Sequence, residues 1–149
     1  MRKLYIIAAL FICALAFSAC EDQDITPVLQ DPTTFVLNTP AYVNGTYDLA
    51  KSTSLELTCS QPDYGFTAAT SYAVEVSLTG KFDGVESAKL GTTYSTARMN
   101  VDAAELAAAL TALATTADPT LTEEDFPMVT EVHVRLVASL TNSGKGEIA

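Results

Sequence analysis

A single histidine, His133, and three cysteines, Cys13, Cys20 and Cys59, are the side chains of this 149-residue sequence best suited to nucleophilic or metal chemistry. A serine-hydrolase arrangement needs a positioned base and an oxyanion hole, and no GxSxG-type nucleophile turn occurs. His133 lies in the alternating stretch 128–140, on the face opposite Val132, Val134 and Leu136, and reads as an ordinary surface position. One histidine and one buried cysteine cannot build a structural zinc site, and there is no DxDxDG calcium loop. Glu123, Glu124 and Asp125 form the densest acid run. A glycosidase holds two carboxylates about 5–10 Å apart across a cleft. Three adjacent acids after Thr122 look instead like the first turn of a short helix, where they complement its dipole. The sequence points away from an enzyme and calls for no cofactor and no metal.

The cysteines have separate fates. Cys13 sits within "LYIIAALFICALAFSA", residues 4–19, an uncharged run behind the cationic start "MRK". A membrane-spanning helix needs ~20 apolar residues. This run is shorter and ends in Ser18-Ala19, small residues that suit a signal peptidase, so residues 1–19 read as a secretion signal. A short membrane anchor or a buried helix are the alternatives. Cys59 follows Leu55 and Leu57 in the alternating "SLELTCS" and is expected on the buried face as a small core residue. With Cys13 in the signal, no intramolecular disulfide is expected.

Cys20 stands where the apolar run meets the acidic stretch "EDQDITPVLQDPTT". Residues 17–20, "FSAC", resemble the lipobox of bacterial lipoproteins, with Phe17 in place of the commoner Leu. The resemblance implies cleavage between Ala19 and Cys20, a diacylglycerol thioether on the Cys20 sulfur, and a further acyl chain, such as palmitate, on the freed amine. Two or more chains anchor stably where one does not. An incidental residue after an ordinary cleavage site is the alternative. Residues 20–32 read as a flexible acidic tether. Glu21, Asp22 and Asp24 resemble the surface-export signal of lipoproteins from gut Bacteroidota; a tether that merely stays solvated is the plainer reading.

Eight basic residues stand against eighteen acids, for a formal net charge of −10. Such a surface repels phosphate backbones, which argues against nucleic-acid binding. The length suits one domain.

The elements of that domain are legible as alternation and punctuation. Strands are expected at 33–38, 54–60, 71–79 and, most strongly, 128–140, with a weaker one at 94–101. Tyr72, Val74, Val76 and Leu78 share one face of the third. Turn clusters fall at "NTPAYVNGTYD", "SQPDYGF" and "TGKFDG". One helix is expected at 103–115. Asp102 would cap it, Glu105 would complete a capping box, and Val101 and Leu106 would staple the entry. Leu106, Leu110 and Leu113 form its apolar stripe. The expected fold is a mainly β, immunoglobulin-like antiparallel sandwich with one inserted helix, spanning 33–149. After the turn "TNSGKG", the closing "EIA" looks like the start of a strand. The domain is therefore expected to be C-terminally truncated, lacking its last strand; a natural end with a frayed tail is the alternative.

Tyr42, Tyr47, Tyr64, Phe66 and Phe82 are expected in loops. Tyr64 and Phe66 are the carbohydrate-binding candidates, since exposed rings stack on the apolar face of a pyranose. The chain has no Trp, the usual platform, and rings in so tight a turn also fold back to cover a sandwich end.

The phrases "FVLNTPA" (35–41), "LELTCSQPDYGF" (55–66), "YAVEVSL" (72–78) and "FPMVTEVHVRLVASL" (126–140) are similar to the N-terminal domain of SusE/SusF-type outer-membrane lipoproteins. The resemblance covers nearly all of residues 20–149. It implies a lipid-anchored cell-surface protein of a starch or glycan utilisation system, one that binds polysaccharide without cleaving it and works beside a TonB-dependent importer complex. In that family the immunoglobulin-like domain is mainly a spacer, and glycan binding resides in C-terminal β-sandwich modules. The expectation is thus an anchor and stalk; docking on the importer, or glycan binding by this domain itself, are the alternatives.

Overall fold

The computed structural model describes residues 28–32 and 35–149. The signal, Cys20 and most of the tether lie outside these residues. Strand β1 (Ser54–Thr58) pairs antiparallel with β4 (Arg98–Asp102), setting Leu55 opposite Val101 and Leu57 opposite Met99. All four are buried. Alternation turns Glu56, Arg98 and Asn100 to solvent, where Arg98 meets the Glu56 carboxylate at 2.7 Å.

The strand expected at 33–38 is reduced to one bridge, Leu37 to Cys59, among its described residues. Side chains take over part of the ladder there. Val36 N–H donates to Ser60 Oγ at 2.9 Å, and Asn38 Nδ2 donates to Thr58 Oγ1 at 3.0 Å. Such local polar partners compete with regular pairing.

The larger sheet has the order β3 (Ser87–Tyr94), β2 (Thr70–Ser77), β5 (His133–Leu140). Its centre, β2 (Thr70–Ser77), buries Tyr72, Val74 and Val76 as the alternation predicted, while Leu78 lies half-buried beyond the strand end. Strand β5 (His133–Leu140) pairs with β2 along its whole length, from Thr70↔Leu140 to Ser77↔His133. The expected strand over 128–140 thus starts only at His133. Pairing with β2 sets that limit: residues 128–132 lie past the last β2 partner, and Val129 is 83 % exposed.

Strand β3 (Ser87–Tyr94) was not expected from the sequence, and the weak strand expected at 94–101 splits between its end and β4. Its sequence, "SAKLGTTY", buries only Leu90 and has little β-branched character. Between Thr93 and Lys89 it runs opposite only Ala73 to Glu75 of β2, so the extra residues form a bulge.

The two sheets face each other over one core, in which Leu55, Leu57, Met99 and Val101 meet Tyr72, Val74, Val76 and Leu136. Fully burying such a side chain contributes about 1.5–3 kcal/mol. Helix α1 (Ala103–Ala117) outlasts its expected span by two residues and lies against β3 and the turn Leu49–Lys51. The Asp102 carboxylate accepts the Glu105 N–H at 2.8 Å, the expected cap. Glu105 does not close the capping box. Its carboxylate reaches across to β3 and accepts the Thr92 N–H, which lies in the bulge, at 3.0 Å. Two antiparallel sheets with one α-helix among the described residues make this an immunoglobulin-like sandwich.

Candidate functional site

The carbohydrate candidates come first. Asp63 Oδ1 accepts the Gly65 N–H at 2.8 Å, and Gly65 takes φ +82°, so the chain turns sharply at Tyr64. That turn drives the Tyr64 ring inward. It is 1 % exposed, and Gly146 passes so close that a Cβ there would sit 2.6 Å from the ring. Burial pushes the Tyr64 phenol pKa up. A ring with both faces covered cannot stack on a sugar, so the structure removes Tyr64 from the candidates. Phe66 stays half-buried at the same turn.

The remaining loop aromatics also serve the fold. Tyr42 and Tyr47 pack with centroids 5.3 Å apart, and their hydroxyls donate to the backbone carbonyls of Glu56 and Ser54 in β1. Phe82 lies beneath the Arg135 guanidinium, 4.5 Å from centroid to Cζ. Arg135 in turn donates from Nε to the Glu75 carboxylate at 3.1 Å. This cluster ties β5 to β2.

The reactive side chains are scattered. Cys59 is buried, donates to the Ala97 carbonyl at 3.7 Å, and has its thiol pKa pushed up by burial. His133 is half-buried beside Gly80, with Nε2 at 3.9 Å from Glu131. Glu123–Asp125 form an exposed 3-10 turn. Asp125 accepts from the Thr122 N–H at 2.8 Å and from its hydroxyl at 2.9 Å, and the backbone bond first, then the hydroxyl, holds its carboxyl below the usual range. Among the described residues no group of three or more His, Cys, Asp or Glu could hold a metal ion, and no helix is long and apolar enough to cross a membrane.

One recess was missed by sequence reasoning. A groove of about 250 Å³ opens along β5, walled by Phe35, Leu37, Phe82, Val134, Arg135 and Leu136, with Ala149 beside them. Residues a hundred positions apart build it. Its only trace in the sequence is the alternation of Val134 and Leu136 together with the strand-like "EIA".

These features define an immunoglobulin-like β module whose rings mostly brace its own ends. Residues 21–135 match the family model described as SusE outer membrane protein, and the chain belongs to that family. It is an outer-membrane protein of a Sus-type system. No solved structure matches it.

Proposed function

We propose that this chain is a surface-exposed lipoprotein, held to the outer membrane through acyl chains on Cys20, whose sandwich is a spacer within a polysaccharide-binding and uptake system. One juxtaposition carries the reading. Cys20 closes an apolar run ending in small residues, and the family match begins at residue 21, directly after it. Acyl chains on the sulfur and the freed amine supply the two or more anchors that stable attachment needs. The acidic tether keeps the chain solvated at the lipid surface, and the sandwich holds starch-binding parts of the system outward beside a TonB-dependent importer. The inward disposition of Tyr42, Tyr47, Tyr64 and Phe82 favours a spacer over a glycan platform in this domain.

Growth of cells with radiolabelled palmitate tests the anchor. Label is expected in the wild-type protein and absent from Cys20→Ser. Equal labelling of the two would overturn the reading.

A further inference from the structure

Of the asparagines Asn38, Asn44, Asn100 and Asn142, only Asn44 precedes a glycine. Asn44 and Gly45 are both exposed, in the turn that begins at Ala41. In such a pair the next backbone nitrogen can close a five-membered ring on the side-chain carbonyl carbon, and glycine has no Cβ to crowd the approach. Space at Gly45 is open: a Cβ there would meet only the Tyr42 carbonyl oxygen, at 3.5 Å. The other asparagines are worse placed. Asn38 has its amide bonded to Thr58 Oγ1 at 3.0 Å, Asn100 precedes the buried, branched Val101 in β4, and Asn142 precedes a serine. Asp83-Gly84 has the same backbone layout, but its carboxylate is a poor electrophile and already accepts the Val85 and Glu86 N–H groups. One contact restrains Asn44. The Gly45 N–H donates to the Tyr42 carbonyl at 2.9 Å, so the turn must open before that nitrogen can react.

We propose that Asn44 is a self-modification site with water as its co-reactant, and that one of its two products loosens the brace on β1. The Gly45 nitrogen attacks Asn44 Cγ and gives up its proton. A new C–N bond forms, the Cγ–Nδ2 bond breaks, and Nδ2 leaves as ammonia with that proton. Water then opens the cyclic imide at either carbonyl, and no electron is transferred. Opening at Cγ gives aspartate. Opening at the backbone carbonyl gives isoaspartate, whose main chain runs through Cβ and Cγ and is one methylene longer. The extra length falls between Tyr42 and Tyr47, whose rings pack 5.3 Å apart and whose hydroxyls donate to the Glu56 and Ser54 carbonyls. Only residues 43–46 separate the two rings, so little chain is present to absorb it.

The full chain in detergent is aged in warm, mildly alkaline buffer beside the same chain unfolded in urea and beside Gly45→Ala. Peptide mapping is expected to find one mass unit gained at Asn44 in the folded chain, ahead of the other asparagines, and sooner in urea. In Gly45→Ala the gain is expected about tenfold more slowly, because the added Cβ crowds the nitrogen. The isoaspartate form is expected to shift the Tyr42 and Tyr47 ring resonances, whereas Asn44→Asp, which adds the charge without the length, leaves them in place. Ala138 resonances report that each form is folded. Conversion in urea but not in the folded chain would overturn the proposal, as would earlier conversion at another asparagine or a wild-type rate in Gly45→Ala. So would rings that isoaspartate leaves unmoved, or that Asn44→Asp moves equally.

Discussion

Strands β3 and β5 both pair with β2, one on each side, and they treat their outer edges in opposite ways. Polar groups finish β3. Its bulge exposes the Thr92 N–H, and the Glu105 carboxylate from α1 takes it. The loop leading in is laced by side chains: Asp83 accepts from the Val85 and Glu86 N–H groups at 2.9 and 2.8 Å, and Lys81 meets Glu86 at 2.6 Å. A bulge, a charge and a covering helix are standard defences against edge-to-edge association. Strand β5 keeps Val134, Leu136, Ala138 and Leu140 on one face and only Val137 among His133, Arg135 and Ser139 on the other, and its Val134 and Leu136 N–H groups have no backbone acceptor among the described residues. Both edges face the same cost, that of unpaired backbone groups. One is closed with carboxylate and helix, and the other is paired only at Ala138 and Leu140.

The sharpest way to break this contrast is to ask whether β5 belongs to the core despite its open edge. Leu136 is 2 % exposed, so Leu136→Ala is expected to cost about 2–5 kcal/mol in urea unfolding. Lys89→Ala, on the exposed face of β3, is expected within about 0.5 kcal/mol of wild type. A Leu136→Ala loss below about 1 kcal/mol would mean that β5 is peripheral.

The ion pairs sharpen the comparison at a smaller scale. The Glu75 side chain, at 16 % exposure, faces Arg135, which also covers Phe82. Glu75→Ala leaves a half-buried guanidinium without its partner and is expected to cost about 1–3 kcal/mol. Arg98 and Glu56, on the outer face of the small sheet, are 72 % and 44 % exposed, and Arg98→Ala is expected to cost less than about 1 kcal/mol. Double-mutant cycles on the two pairs measure the difference. Equal coupling energies would remove any special role for the β2–β5 tie.

The sequence made the strong elements legible where one physical signal dominated. Alternation located β1, β2 and the core half of β5, and the Asp102 cap located α1. The elements it missed depend on partners remote in the chain. Strand β3 has almost no hydrophobic pattern because its outer side is covered by α1 and Glu105 rather than by its own apolar side chains. The start of β5 is set by the end of β2, which no local pattern reports. Glu105 was read as a capping-box partner because its spacing from Asp102 is right, yet a free N–H in a neighbouring strand won the carboxylate. The candidate site divides along the same line. The resemblance of residues 17–20 to a lipobox rests on four adjacent residues and is an expectation of local sequence alone, whereas the burial of Tyr64 involves Gly146, a residue remote in the chain.

The smallest expected effect concerns that carboxylate and tests whether the β3 edge is closed by charge. Hydrogen bonds from Thr92, through its hydroxyl and then its backbone N–H, hold the Glu105 carboxyl below the usual carboxylate range. A folded-state pKa below the unfolded one means that the contact stabilises the fold fully above the ordinary Glu value, about 4.3, and stops doing so as pH falls through the depressed folded value. Glu105→Gln keeps the side-chain shape and an acceptor oxygen but loses the charge. Because the site is only partly shielded from water, the loss at pH 7 is expected to be no more than about 1 kcal/mol. Asp83, Asp118 and Asp125 are also held low by hydrogen bonds, so wild type and variant share a general loss of stability in acid. The informative quantity is therefore the difference between the two stability curves. It is expected to be constant from pH 7 down to about 5 and to shrink toward zero as the pH drops below the ordinary Glu value. A difference that persists undiminished to pH 3 would mean that shape, and not the carboxylate charge, closes the β3 edge, and the contrast with β5 would then rest on packing alone.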